Sequence, residues 1–262
     1  MKPIYISVFN RLRWLRKLHD VRLSAKLHGR RTNRWATLLF VLWSPELHSH
    51  TFRLKNKLAV AEQVATFLQA SNADTLMLHE EFRLFETGRR LTRKSLVYFP
   101  VLGLRPPLDR CFPVYCLVRL WKPSVVIELG VHHGVLGMCI EHALLMNGGG
   151  VYEGVDTNPR AGWLLKGKVH IADGSDHLAR QAGSNERTLA LLMHDPRQCD
   201  DSLKATLAFC QGDLLVGSYR GWASTISSPH ATRQSKFGEI TAETDHPLYP
   251  QYSLEFAIFG AA

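Results

Sequence analysis

The sequence has no apolar run long enough to cross a bilayer: the stretch from Trp35 to Trp43, WATLLFVLW, is nine residues, against the roughly 20 that a spanning helix needs. Cysteine is scarce. The five (Cys111, Cys116, Cys139, Cys199 and Cys210) are odd in number and show no CxxC spacing. That pattern argues against a disulfide framework and predicts reduced core thiols in a cytoplasmic protein. No histidine pair has HxxxH spacing, and the adjacent His132 and His133 point in different directions from any turn, so a zinc reading of the histidines is set aside. Neither a cleavage site nor a signal-type apolar stretch follows the N-terminal charges, so no cleaved signal is expected. Repeats and low-complexity tracts are missing as well, which leaves an ordinary globular composition.

Acidic residues are nearly missing from one segment. Residues 1–34 carry ten Lys or Arg against the single acid Asp20, which accounts for the whole net charge of +9. Residues 35–262 are formally neutral, so a basic body is excluded. Within the arm, Ile4, Val8, Leu12, Leu15 and Leu18 recur at spacings of three and four. This pattern suits a basic amphipathic helix on an anionic membrane or nucleic acid, and equally a helix packed on a domain, which is the preferred reading.

Helical periodicity marks Lys57 to Leu68, Thr75 to Phe85 and Leu108 to Leu120, while Gly88, Pro100, Gly103, Pro106 and Pro107 interrupt the pattern between the last two. The predicted organisation is a basic arm and helical lid over residues 1–107 and a Rossmann-like domain over 108–262. After Pro123, short apolar runs alternate with helical stretches, the pattern of a doubly wound, mostly parallel sheet in an α/β fold. Strands are predicted at 125–129, 151–156, 168–173, 189–194, 213–218 and 254–259. Helices are predicted at 134–146, 176–181 and 200–210.

The most informative stretch is VVIELGVHHGVLG, residues 125–137, where a buried strand runs into glycines at 130, 134 and 137 and then a helix. Such a turn lets backbone approach a ligand and offers free helix N–H groups, so a nucleotide-like ligand is implied. The first glycine interval holds Val131, His132 and His133, unlike the G-x-G-x-x-G of dinucleotide sites, which weakens a nicotinamide reading. Twenty-six residues past Gly130, Asp156 closes the run VYEGVD, where a carboxylate can accept both hydroxyls of a ribose.

On these residues the chain resembles the class I S-adenosylmethionine-dependent methyltransferases, in particular a bacterial branch associated with sugar, polysaccharide and natural-product O-methylation. KPSVVIELGVHHG is similar to the family's first motif, VDTNPRAGWLL to its acidic second, IADGSDHL to its third and LLMHDP to its fourth. The segment PELHSHTFRLKNKLAVAEQVATFL is similar to one that precedes the core. The resemblance implies S-adenosylmethionine as cofactor and a small-molecule or sugar acceptor. It implies that Glu128 and the turn residues Gly130, His132, His133 and Gly134 hold the amino-acid end of the cofactor. Asp156 and Thr157 would serve the ribose, and Asp173 and Ser175 the adenine. Met193, His194 and Asp195 would lie where methyl meets acceptor.

His194 is the preferred base, with Asp195, Tyr219 and His230 as competitors. For Asp173 a helix-capping acid is an equal reading, and Trp163 either covers the adenine or packs a helix. Many relatives follow the fifth strand with an Asp-Asn pair that helps hold a divalent cation; this chain has VGSYRGW, so no bound metal is expected. Two other readings stay open: an enzyme of the same fold using the cofactor for different chemistry, and an inactive cofactor-binding scaffold attached through the arm. A homodimer is a further open expectation.

Overall fold

In the computed structural model the described residues are 54–70, 72–88, 108–132, 134–159, 161–162, 165, 169–193, 199–218, 235–244 and 251–261. Of two compact units, Met1–Thr51 with Arg90–Pro106 lies outside these residues, as does the predicted arm helix within it. Every element below belongs to the other unit, Phe52–Arg89 with Pro107–Ala262, so the two helices predicted for the lid share a unit with the sheet.

Helices α1 (Lys57–Phe67) and α2 (Thr75–Gly88) lead to a 3₁₀ turn (Asp109–Cys111) and α3 (Phe112–Trp121). Then come β1 (Val125–Leu129), α4 (Val135–Met146), β2 (Val151–Asp156), β3 (Val169–Ile171), α5 (Gly174–Ala179) and β4 (Thr188–Leu192). The chain continues through α6 (Cys199–Phe209), β5 (Leu214–Ser218), β6 (Ser235–Glu243) and β7 (Gln251–Phe259). The seven strands form one sheet in the order β3-β2-β1-β4-β5-β7-β6. The first five are parallel, whereas β7 enters antiparallel between β5 and β6. Order 3-2-1-4-5 is that of a Rossmann-like sheet, whose strand order reverses between β1 and β4 while the strands stay parallel.

β1, β4 and β5 are buried at every position, which is why they read as unbroken apolar runs. Their alternate residues feed two cores. On one face Val126, Leu189, Leu191 and Leu215 pack with α1 to α4; on the other Ile127, Leu129, Ala190, Leu192 and Val216 pack with Leu178 of α5 and Leu203 of α6. Helices on both faces follow from this double burial.

The sequence reading contains no strand at 235–243. The inward positions of β6 are Gly238, Ile240 and Ala242, two of them too small to register as an apolar alternation. β6 is an edge strand whose outer backbone is occupied at Thr241 and Glu243. The Gln63 side chain of α1 donates to Thr241 O (3.0 Å) and accepts from Thr241 N (3.1 Å), and Lys55 N donates to Glu243 O (3.0 Å). Gly238 is needed here, since a Cβ would run into the Phe67 ring.

α2, α3 and α4 are joined by a polar knot. Arg119 donates through Nε and Nη2 to both carboxylate oxygens of Glu81 (2.8 and 2.9 Å) and through Nη1 to Asn147. Tyr115 Oη also donates to Glu81 (3.1 Å), and the fork geometry gives the pair strength as well as direction. The Arg119 hydrogen bonds hold the Glu81 carboxyl below its usual range, against the opposing effect of burial. The pair's stability is therefore present above the ordinary carboxylate pKa and is lost as pH falls through the lowered one. Arg119→Ala leaves a largely shielded carboxylate without its cation, held only by the Tyr115 hydroxyl. It should cost about 3 kcal/mol, read as a lower midpoint of thermal unfolding at pH 7 and a smaller difference from the parent in acid.

Among the described residues no helix is long and apolar enough to cross a membrane.

Candidate functional site

The carboxyl ends of β3, β2, β1 and β4 lie side by side, and in an open α/β sheet ligands bind in the crevice beyond such ends where the order reverses. Each of the first three strands brings an acid there. Glu128 is the penultimate residue of β1, Asp156 closes β2, and Asp173 follows β3 by two residues. Adjacent strands are about 4.8 Å apart, so three neighbouring strand ends span about 10 Å. A row of acids on that scale suits an extended ligand with several donor groups.

The glycine turn is built around left-handed backbone: Gly130 has φ 91°, His132 φ 51° and Gly134 φ 81°. Gly134 caps α4 without any side-chain hydrogen bond to the helix, so no capping side chain covers the first-turn N–H groups of α4. Val131 is buried beside it, while His132 is exposed. His132 N donates to Asp156 Oδ2 (2.9 Å), and Asn158 N donates to Asp156 Oδ1 (2.8 Å). Asp156 thus ties the end of β2 to the turn after β1, a role the sequence does not display. An ionised carboxylate accepts about four hydrogen bonds, so two remain for a ligand diol. Thr157, next in the chain, is exposed.

Glu128 is buried, 2% exposed, and its Oε2 accepts from Tyr152 Oη at 2.6 Å. Burial, with a smaller contribution from Asp156, pushes its carboxyl up to about 8 despite the Tyr152 hydrogen bond. A carboxyl in that state is largely protonated at neutral pH and ionises when a cation comes beside it. The sequence gives no hint of Tyr152. The parallel register Glu128↔Gly154 places Tyr152, two residues back, on the same face. Its hydroxyl lies against the backbone of α4 at Gly137, where a Cβ would collide with it and with the Leu165 side chain. Gly137→Ala should therefore push Tyr152 off Glu128 and destabilise the domain by about 2 kcal/mol, checked by chemical denaturation.

Asp173 Oδ1 accepts from Ser175 N (2.9 Å) and Asp176 N (3.4 Å), which makes it the N-cap of α5. Ser175 Oγ lies 3.2 Å from Ser202 Oγ of α6. The β4 exit is drawn to β1, since Met193 N donates to Leu129 O (2.8 Å). Ser218, at the end of β5, is buried and donates to Leu192 O (3.0 Å). His133, Trp163, His194, Asp195, Tyr219 and His230 lie outside the described residues.

These residues fit the group the sequence resemblance implies. The Glu128 carboxyl, raised by burial beside the turn, is one that a cation would ionise, Asp156 at the β2 end keeps acceptor capacity, and no capping side chain covers the first-turn N–H groups of α4.

The chain matches no protein-family model and no curated protein sequence. Solved structures similar to it include the O-methyltransferase TomG from Streptomyces achromogenes in complex with SAM (13% identity, TM-score 0.44, over 84% of this chain and 95% of that one). Another is the O-methyltransferase from Bacillus cereus in complex with SAH (11% identity, TM-score 0.44, over 77% and 97%). A third is the magnesium protoporphyrin IX methyltransferase from Synechocystis PCC 6803 with bound SAM (12% identity, TM-score 0.39, over 61% and 86%). At these identities the functional reading rests on the strand ends themselves.

Proposed function

We propose that this chain binds S-adenosylmethionine across the ends of β1 to β4 and transfers its methyl group to an oxygen of a small molecule or sugar. The observation that carries the reading is the row of Glu128, Asp156 and Asp173 on three adjacent parallel strands beside a glycine turn at the reversal point.

Glu128, ionised by the partner it lacks in the free chain, takes the ligand's ammonium group, with backbone from Gly130 to Gly134 around the amino-acid end. Asp156 accepts the ribose hydroxyls on its remaining lone pairs while its bonds to His132 N and Asn158 N keep it in place. Asp173 and Ser175, at the start of α5, face the adenine. Bound there, S-adenosylmethionine supplies a methyl on a sulfonium sulfur. The chain's own share of the reaction is small: align the acceptor, exclude water and take a hydroxyl proton. His194 directly follows Met193, whose N–H holds the β4 exit to β1. It is the first choice to take that proton, ahead of Asp195, Tyr219 and His230.

The test is calorimetric titration with S-adenosylmethionine, S-adenosylhomocysteine and, as control, NAD, followed by an assay for S-adenosylhomocysteine release with hydroxylated acceptors. Micromolar binding of the first two and not of NAD supports the site. Cofactor consumption without methylated product would point to other chemistry, and binding without turnover of any acceptor to a scaffold.

A further inference from the structure

Beside the row of strand-end acids but made of other residues, Glu153 of β2, His170 of β3 and His177 of α5 meet on the sheet face covered by α5. Each offers one ligand atom, and the three atoms lie within 4.8 Å of one another. Parallel register pairs Val155 with His170, so Glu153, two residues before Val155, shares its face with His170. α5 covers that face through Leu178, which packs with Val155, and the neighbouring His177 brings its ring to 4.6 Å from that of His170.

Two atoms here stand out. Glu153 Oε2 and His177 Nε2 are shielded from solvent and have no hydrogen-bond partner, although they lie 3.7 Å apart. A direct hydrogen bond would close that gap to about 2.8 Å, and burying both groups unsatisfied costs free energy. A shared third partner removes the anomaly. Donor atoms on a tetrahedral ion with bonds of about 2.0–2.1 Å are separated by about 3.3 Å, so the Glu153–His177 pair at 3.7 Å needs only a small closure to share one, and the His170 atom must draw in from within 4.8 Å.

We propose that Glu153, His170 and His177 form a three-ligand site for a divalent transition-metal ion, zinc foremost. The donor set decides the class. Two imidazoles and one carboxylate suit zinc and its neighbours in the series, whereas calcium and magnesium prefer all-oxygen shells. The fourth position falls to water or an external ligand, because no further Cys, His, Asp or Glu joins this group among the described residues. The metal ties the three-residue strand β3 and the six-residue helix α5 to β2. These are the elements that present Asp156 and Asp173.

From the sequence no bound metal is expected, and the adjacent His132 and His133 form no zinc pattern. The signal lay elsewhere, in an acid within a strand and two histidines seven residues apart across a strand-to-helix turn. No metal motif has that spacing, so only the sheet register reveals it.

The experiment is calorimetric titration of the chelator-treated full-length chain with Zn²⁺ and, in parallel, Mg²⁺, in the parent and in Glu153→Gln, His170→Ala and His177→Ala. Visible absorption with Co²⁺ reports tetrahedral geometry. The expected result is one equivalent of Zn²⁺ bound by the parent, and affinity at least 100-fold weaker in each variant. A tetrahedral Co²⁺ spectrum should be present in the parent and lost in the variants. Zn²⁺ should also raise the thermal midpoint of the parent and leave that of Glu153→Gln unmoved; this near-isosteric variant keeps the test decisive if a histidine variant fails to fold. Unchanged Zn²⁺ stoichiometry and affinity in the variants, no Zn²⁺ uptake by the parent, or equal binding of Mg²⁺ would each overturn the proposal. None of these readouts depends on S-adenosylmethionine binding.

Discussion

Asp156→Ala should weaken S-adenosylmethionine binding by at least about 100-fold, close to 3 kcal/mol. Two losses combine in that figure. The ligand loses its diol acceptor, and the turn loses the bonds from His132 N and Asn158 N that hold it against the β2 end. Left without acceptors, those backbone donors also cost stability, on the order of 1–2 kcal/mol. Asp156→Asn separates the two effects. An amide oxygen can still accept from one of the N–H groups, so stability should recover more than affinity does. The comparison is made by calorimetry and chemical denaturation on the same samples. Equal S-adenosylmethionine affinity in the parent and Asp156→Ala would remove Asp156 from the site.

The second large effect concerns Glu128 and pH. Its folded-state pKa is raised to about 8, from an ordinary 4.5. The folded chain therefore holds a proton that the unfolded chain gives up between those values. Stability is fully present below the ordinary pKa, declines as pH rises, and is lost as pH passes the raised value. Glu128→Gln keeps the shape and removes the titration. Near pH 5 the variant should match the parent, and near pH 8.5 it should be more stable by ~3–5 kcal/mol, read as a higher thermal midpoint. Ligand binding reverses the preference, because an ammonium group beside Glu128 favours the ionised form. At pH 7 the parent should release about one proton per S-adenosylmethionine bound, detected by repeating the titration in buffers of different ionisation heat. The Gln variant should release none and bind at least 10-fold more weakly. Identical proton release in both proteins would show that Glu128 does not face the cation.

What could be read from the sequence depended on how each residue meets its surroundings. β1 and β5 are buried on both faces and lie beside glycine or polar breaks, so composition alone marks them. β6 is not so marked, because Gly238 and Ala242 occupy its inward face and α1 supplies the bulk through Phe67. Glu128, the glycine turn and Asp156 stood out in a strand, turn, helix, strand succession. Their dependence on one another did not. The Glu128 to Tyr152 contact needs the β1 to β2 register, and the Asp156 to His132 bond needs the two loops side by side. Asp173 could be read as ligand or cap from its position; the structure shows the capping bonds to α5, and the ligand role belongs to the proposal. The helix boundaries of α1 and α4 fall within a residue of those predicted, since each ends where its apolar periodicity stops.

The place of β7 between β5 and β6 has a consequence for how the chain comes to be folded. During synthesis β5 is made well before residues 251–259, and until they emerge its outer edge displays unpaired backbone in a strongly apolar strand. Such an edge is a template for pairing with other chains. The interval between the two strands is thus the period of greatest aggregation risk, and shortening the chain within 251–259 should raise the share of chain recovered in inclusion bodies rather than merely loosen one end.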